Sequence, residues 1–317
     1  MLQIVATIGP ASLDLGPALA EAGASAFRLN ASHMAPDELL TLSAALRRSV
    51  PEMLLIVDLQ GAKMRLGLFN DLQVRKGERI CFSSCGASGA VPLSHPELFS
   101  SVEPGETLGC DDDRLHFRIE ALTPETAETT ALVGGVLRAR KGVNILEHPV
   151  RLTDLTEADA VAIGLTAKLR PVSFAFSFMA DGRESEWIRR RAPGCEVIGK
   201  IERSEAARSI AAIAGAVDGL WICRGDLGAQ LGQAAMARWV SALEPRNLPR
   251  PTVMAGQVLE HLTCHATPTR SETCHLFDLV GRGYAGFVLS DETAIGTDPV
   301  NAVRTLKSLL DSFLLQA

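Results

Sequence analysis

At 317 residues and a formal charge of −6, the chain has no basic excess with which to neutralise nucleic-acid phosphates or an anionic membrane surface. Hydrophobic residues make up 47% but aromatics are few (one Tyr, three Trp, eleven Phe), so an aliphatic core that needs no staples is expected. No window approaches the ~18 apolar residues of a membrane span, the N-terminal "MLQIVATIGP" lacks a leader pattern, and seven cysteines form no paired framework; a cytoplasmic protein with reduced thiols is expected.

Short β-branched and aliphatic runs recur along the chain at 3–9, 26–32, 54–59, 172–178, 196–201, 219–225, 251–256 and 286–290. Between most of them lie Ala- and Leu-rich stretches of helical periodicity, such as "APDELLTLSAALRRS" after the second run and "DPVNAVRTLKSLLDSFLL" after the eighth. Alternating strands and helices imply parallel pairing, and eight such units predict a closed (β/α)8 TIM barrel.

After the third run the pattern changes. "DLQVRKGERICFSS", "LHFRIEAL" and "ETTALVGGVLRA" alternate with period 2 and are punctuated by Gly, Asp and Pro. They predict a small β-barrel-like lid domain inserted after strand 3, giving barrel at 1–59, insert at 60–141 and barrel again at 142–317. The "DDDR" at 111–114 reads as an acidic turn of that insert.

A TIM barrel places its chemistry at the C-terminal ends of its strands. There the sequence offers Arg28, Asn30, Ser32 and His33 after strand two, Asp58 after three and Ser177 after four. Lys200 and Glu202 follow strand five, Arg224 and Asp226 strand six, and Ser290 and Glu292 strand eight. Lys200 and Glu202 are two apart, so they project to one side, about 7 Å apart along the strand. Glu202 and Asp226 together predict an all-oxygen site for Mg2+ or Mn2+ with positions open to substrate and water. Lys200 and Arg28 would hold an anion against that metal. His261, Cys264, His265, Cys274 and His275 match no closed zinc spacing and read as scattered rim or helix residues.

The motifs "ATIGPAS", "FRLNASH", "VDLQGAKMRLG", "KGVNI", "KIERSEAARSI", "VDGLWICRGDLG", "PTRSE" and "LSDETAIGTDPV" occur in this order from end to end, and the chain resembles the pyruvate kinase family. The resemblance implies phosphoryl transfer between phosphoenolpyruvate and ADP/ATP. It makes Lys200 and Arg28 catalytic, Glu202 and Asp226 Mg2+ ligands, and Ser177, Arg224, Gly225, Asp226 and Gly256 substrate-binding. It also gives Asn30, Ser32 and Asp58 to a monovalent-cation site, and His33, Arg65 and Lys141 to the nucleotide side.

Four departures from the family pattern carry expectations of their own. The chain stops after the eighth barrel helix, so the family's C-terminal regulatory domain is expected to be absent and a homodimer through the barrel is expected. "DLQGAKMR" puts Leu59 and Lys63 where the family's usual motif has Thr and Glu. The Lys63 ammonium is expected to replace a bound K+, so that K+ is not required. Gly256, in "AGQ", lacks the hydroxyl of the family's threonine and leaves space, and "LSDET" adds Asp291. Two other readings stay open: a diverged enzyme acting on a larger 2-oxo acid or enolate, of aldolase or decarboxylase type, and a non-catalytic paralogue that kept the pocket.

Overall fold

The eight apolar runs form eight parallel strands: β1 (Gln3–Thr7), β2 (Ala26–Asn30), β3 (Leu54–Leu59), β4 (Val172–Phe176), β5 (Glu196–Ile201), β6 (Gly219–Cys223), β7 (Thr252–Ala255) and β8 (Gly286–Leu289). A computed structural model of the chain describes residues 2–111 and 114–315; Asp112 and Asp113 of the acidic turn lie outside it. Each strand pairs with the next in sequence, and β8 returns to β1 through Gln3↔Gly286 and Val5↔Val288, closing the (β/α)8 TIM barrel.

Each strand sends one apolar side chain into a shared interior layer: Val5, Ala26, Ile56, Ala175, Ile198, Trp221, Val253 and Val288. The single large ring of Trp221 offsets the small Ala26 and Ala175, so the middle of the barrel is filled. Two residues further along, the pleat returns side chains to the same face. There the sequence changes character to Thr7, Arg28, Asp58, Ser177, Lys200 and Cys223. A polar layer thus rests on an apolar plug at the C-terminal end of the strands.

The outer helices form for local reasons. Helix Pro299–Leu314 begins with Asp298 accepting from the Asn301 N–H at 2.9 Å and a proline at its first position, and it buries Ala302, Val303, Leu306 and Leu310 as one stripe. Among the described residues no helix is long and apolar enough to cross a membrane.

The chain forms two compact units, Met1–Gly61 with Asp154–Ala317, and Ala62–Thr153. The second is built on a seven-stranded sheet in the order Met64–Arg65, Gly142–Ile145, Thr107–Cys110, Leu115–Leu122, Thr126–Ala131, Arg79–Ser83, Val91–Pro92. A bond from the Gly67 N–H to the Pro92 carbonyl, 2.8 Å, links its two ends into a half-barrel. Phe82 and Phe117 meet edge to face at its centre, 5.2 Å apart. The far boundary lies later than the sequence predicts. Gly142–Ile145 pairs with Thr107–Cys110 through Val143↔Cys110, so this stretch belongs to the insert and not to the barrel.

Candidate active site

Asp58 is the centre of the polar layer. It is 1% exposed, and its carboxylate accepts from Arg28 Nε at 2.7 Å and from Lys200 Nζ at 3.1 Å. Arg28 Nη2 lies 2.7 Å from the same carboxylate, and Nη1 donates to Thr7 Oγ1 at 3.2 Å. Lys200 also donates to Ser177 Oγ at 2.8 Å and stands 3.1 Å from Glu202 Oε1, while the Ser177 hydroxyl donates to the Leu59 carbonyl at 2.7 Å. Residues from five strands or their exits therefore meet around one buried carboxylate.

The electrostatics follow from this packing. Burial pushes the Asp58 carboxyl up, but Lys200 and Arg28 outweigh it and hold it below the ordinary carboxylate range. Burial alone would weaken the Lys200 ammonium; Asp58 and Glu202 outweigh it and hold the group above the ordinary lysine value, in its charged form. Arg28, Lys200, Asp58 and Glu202 make two cations and two carboxylates, and Asp226, in the first turn of helix Arg224–Leu231, adds a third carboxylate. Burial pushes the Cys223 thiol at the end of β6 well up; Glu202, Asp58 and Asp226 push the same way and Lys200 opposes them.

Local backbone devices aim these groups. Phe178, just after β4, takes φ 56 and directs its N–H at Glu202 Oε2, 2.8 Å away. Helix Arg224–Leu231 has no side-chain cap on its first N–H groups, which suits them to an anion. A Cβ placed on Gly256 would meet nothing nearer than Gly225 N at 3.6 Å and Arg224 N at 3.7 Å, so there is room beside those amides. Gly256 holds φ +83, which a β-branched threonine would resist.

Asp159 is a residue that sequence reasoning missed. It lies in the first turn of helix Glu157–Thr166, 1% exposed, and accepts from the Gln60 N–H at 2.8 Å and the Gly61 N–H at 2.9 Å. It therefore fixes the turn that leaves Asp58. Burial pushes its carboxyl above the ordinary range although both backbone bonds oppose this. Its only signal in the sequence is an acid three residues after the helix cap Thr156. Thr7 was missed as well, because a threonine closing an apolar strand carries no charge signal.

The remaining candidates fall in several places. The Asn30 side chain accepts from the Ser32 N–H at 3.3 Å, capping the short turn Ala31–His33. Glu292 accepts from the Ser290 N–H at 2.7 Å and from the Leu259 N–H beyond β7 at 3.1 Å, and Asp291 is exposed. Lys63, Arg65 and Lys141 belong to the inserted unit. There Arg65 pairs with Gly142, donates to the Arg140 carbonyl at 3.0 Å, and so lies next to Lys141, whose ammonium is 2.8 Å from Asp111.

The donor set suits a small hard cation. Glu202 and Asp226 offer only oxygen, carboxylates outnumber cations, and among the described residues no third His, Cys, Asp or Glu completes a cage. Such a pair leaves coordination positions for substrate oxygens and water.

The family model described as "Pyruvate kinase, barrel domain" matches residues 1–303. The chain is 32% identical over 325 residues to the pyruvate kinase of Methylorubrum extorquens, covering 98% of this chain and 68% of that protein. It is 30% identical over 327 residues to that of Agrobacterium vitis, with 98% and 68% covered, and 29% identical over 327 residues to that of Geobacillus stearothermophilus, with 97% and 56% covered. The chain belongs to the pyruvate kinase family of enzymes.

Proposed function

We propose that this enzyme moves a phosphoryl group between phosphoenolpyruvate, or a closely related enol phosphate, and ADP, using Mg2+ and not requiring K+. The observation that carries the reading is the buried Lys200–Asp58–Arg28 network at the C-terminal end of the barrel. Phosphoryl transfer asks little covalent chemistry of a protein; it asks for positioning and charge neutralisation. Arg28 neutralises the phosphoryl oxygens. The amides of Arg224, Gly225 and Asp226 receive the substrate carboxylate. The bond between phosphorus and the enol oxygen breaks, the phosphoryl group passes to a terminal oxygen of ADP, and Lys200 stabilises the enolate oxygen left behind. Protonation at the enolate carbon then gives pyruvate; with no hydroxyl at Gly256, water is the proton carrier. Glu202 and Asp226 would hold the metal, which when bound would supply further positive charge to neutralise the transferring phosphoryl group. His33, Arg65 and Lys141 serve the nucleotide phosphates.

The first test is pyruvate formation from phosphoenolpyruvate and ADP with Mg2+ in buffer free of K+, followed by addition of K+. Full turnover before the addition is the expected result. Glu202→Gln is expected to weaken Mg2+ binding and lower kcat by about 10²–10³-fold; normal turnover in that variant would refute the metal assignment. The double variant Leu59→Thr with Lys63→Glu is expected to make activity depend on K+, and an active double variant indifferent to K+ would remove the substitute-cation role from Lys63.

The room beside Gly256 supports a second reading, in which a larger enol phosphate or 2-oxo acid is the substrate. Under that reading phosphoenolpyruvate gives no pyruvate in either buffer, while protein that still binds Mg2+ turns over a bulkier analogue.

A further inference from the structure

The side chain of Arg224 turns back from its helix to the exit of β7. Its guanidinium donates to the Gly256 carbonyl from Nε at 3.0 Å and Nη2 at 2.7 Å, and to the Gln257 carbonyl from Nη2 at 2.7 Å. Both residues have left-handed backbones, with φ +83 at Gly256 and +54 at Gln257, a conformation that Gln257 in particular disfavours. Arg224 thus staples a strained corner, and that corner borders the uncapped amides of Arg224 and Gly225. Nη1 makes a further contact, 2.8 Å from His275 Nε2, on helix Arg270–Gly281.

A guanidinium has only donors. At this distance His275 must accept through Nε2, which requires a neutral ring carrying its proton on Nδ1. A protonated ring would turn an N–H and a positive charge toward Arg224.

We infer that His275 is a positioning residue for the carboxylate-binding end of the site, holding Arg224 and through it the Gly256–Gln257 corner only while its ring is neutral, so that acid weakens substrate binding without slowing turnover of bound substrate. This rests on the proposed use of the 224–226 amides by an anionic substrate. The groups facing the ring agree with it. Partial burial, then Arg224 from the neighbouring helix, push the ring below the ordinary histidine value; Asp278 opposes them and Arg282 adds to them. Arg224 itself is faced by Tyr284, Glu292 and Glu260. His275 lies at the surface, so its proton exchanges with the medium.

The test is KM and kcat for phosphoenolpyruvate from about pH 5 to pH 8 in wild type, His275→Gln and His275→Ala. Glutamine can accept from Arg224 and does not titrate; alanine cannot accept at all. The ratio of wild-type to Gln KM, in which the substrate's own ionisation cancels, is expected to be near one at pH 8 and to rise by about tenfold in acid, the worth of a charge-assisted hydrogen bond. His275→Ala is expected to show the raised KM at every pH, with kcat unchanged in both variants. A flat ratio in proteins that turn over overturns the inference. Absence of turnover in all three at every pH overturns instead the function on which it rests.

Discussion

Asp58→Asn is expected to lower kcat/KM by about 10⁴-fold and to destabilise the fold by about 3 kcal/mol. The substitution removes one charge and almost no volume, so the effect is electrostatic. Arg28 and Lys200 both donate to this carboxylate, and both are held by it below the rim. Displacing one preorganised group of this kind typically costs about 10²–10³ in rate, and here two are displaced together. Removing one partner from a buried ion network leaves uncompensated charge, at about 3–5 kcal/mol; Glu202 remains beside Lys200, which places the estimate at the lower end. The pH dependence gives a second readout. A carboxyl held below its unfolded value of ~3.9 contributes stability that is present above that pH and is lost as pH falls through the lower folded value. Other lowered carboxyls such as Glu97 and Glu272 leave some acid loss in both proteins, so the wild type should lose more stability on acidification than Asp58→Asn does. Denaturation midpoints at neutral and acid pH, with steady-state rates, check both parts. Wild-type stability and turnover in the variant would show that Asp58 does not organise the two cations.

The barrel was legible because it is written in hydrophobic period. The runs at 54–59 and 196–201 match β3 and β5 end to end. Others were read one or two residues too long at the C-terminal end: 219–225 includes Arg224 and Gly225, which already begin a helix. Such overreach is expected at strand exits of an enzyme, where the chain leaves the sheet early to aim functional groups. The insert was legible as a β unit through "LHFRIEAL", the strand Leu115–Leu122, but not at its edges. Short strands such as Met64–Arg65 and Gly142–Ile145 are too brief to show a period, and only pairing reveals them.

In the site, charged side chains were legible and their partners were not. Lys200 and Glu202 stand out in a buried strand because burying charge demands a reason. The sequence does not say that both cations share Asp58, a residue the family resemblance gives to a monovalent-cation site. Nor does it say that Asp159, some hundred positions later, fixes the turn after Asp58. Those are contacts of high sequence separation, and nothing local encodes them. The same holds for His275: the sequence reads it as one of several scattered rim or helix residues, and its lone-pair contact with Arg224 depends on the fold bringing the β6 and β7 exits together.

The turn after Asp58 supplies the second large expected effect. Gly61→Ala should destabilise the protein by about 2–5 kcal/mol and lower kcat by at least tenfold, whereas Gly256→Ala should cost only about 1–2 kcal/mol. Both glycines have left-handed backbones, φ +56 and φ +83, and each Ala pays about 1–2 kcal/mol for that alone. The difference lies in what the new Cβ meets. At Gly256 the nearest atoms are at ordinary contact distance, 3.6 Å. At Gly61 the Cβ would lie 2.0 Å from the Ser177 carbonyl oxygen, and backbone cannot swing aside as a side chain can. Overpacking of this kind adds about 1–3 kcal/mol. Relief requires the turn or Ser177 to move, and Ser177 Oγ is a Lys200 partner, so the strain reaches the ammonium. Loss of the Asp159 bonds to Gln60 and Gly61 is the other route of escape. Melting curves of the two variants separate backbone strain from steric conflict, and equal losses in both would show that the turn around Gly61 yields without disturbing the site.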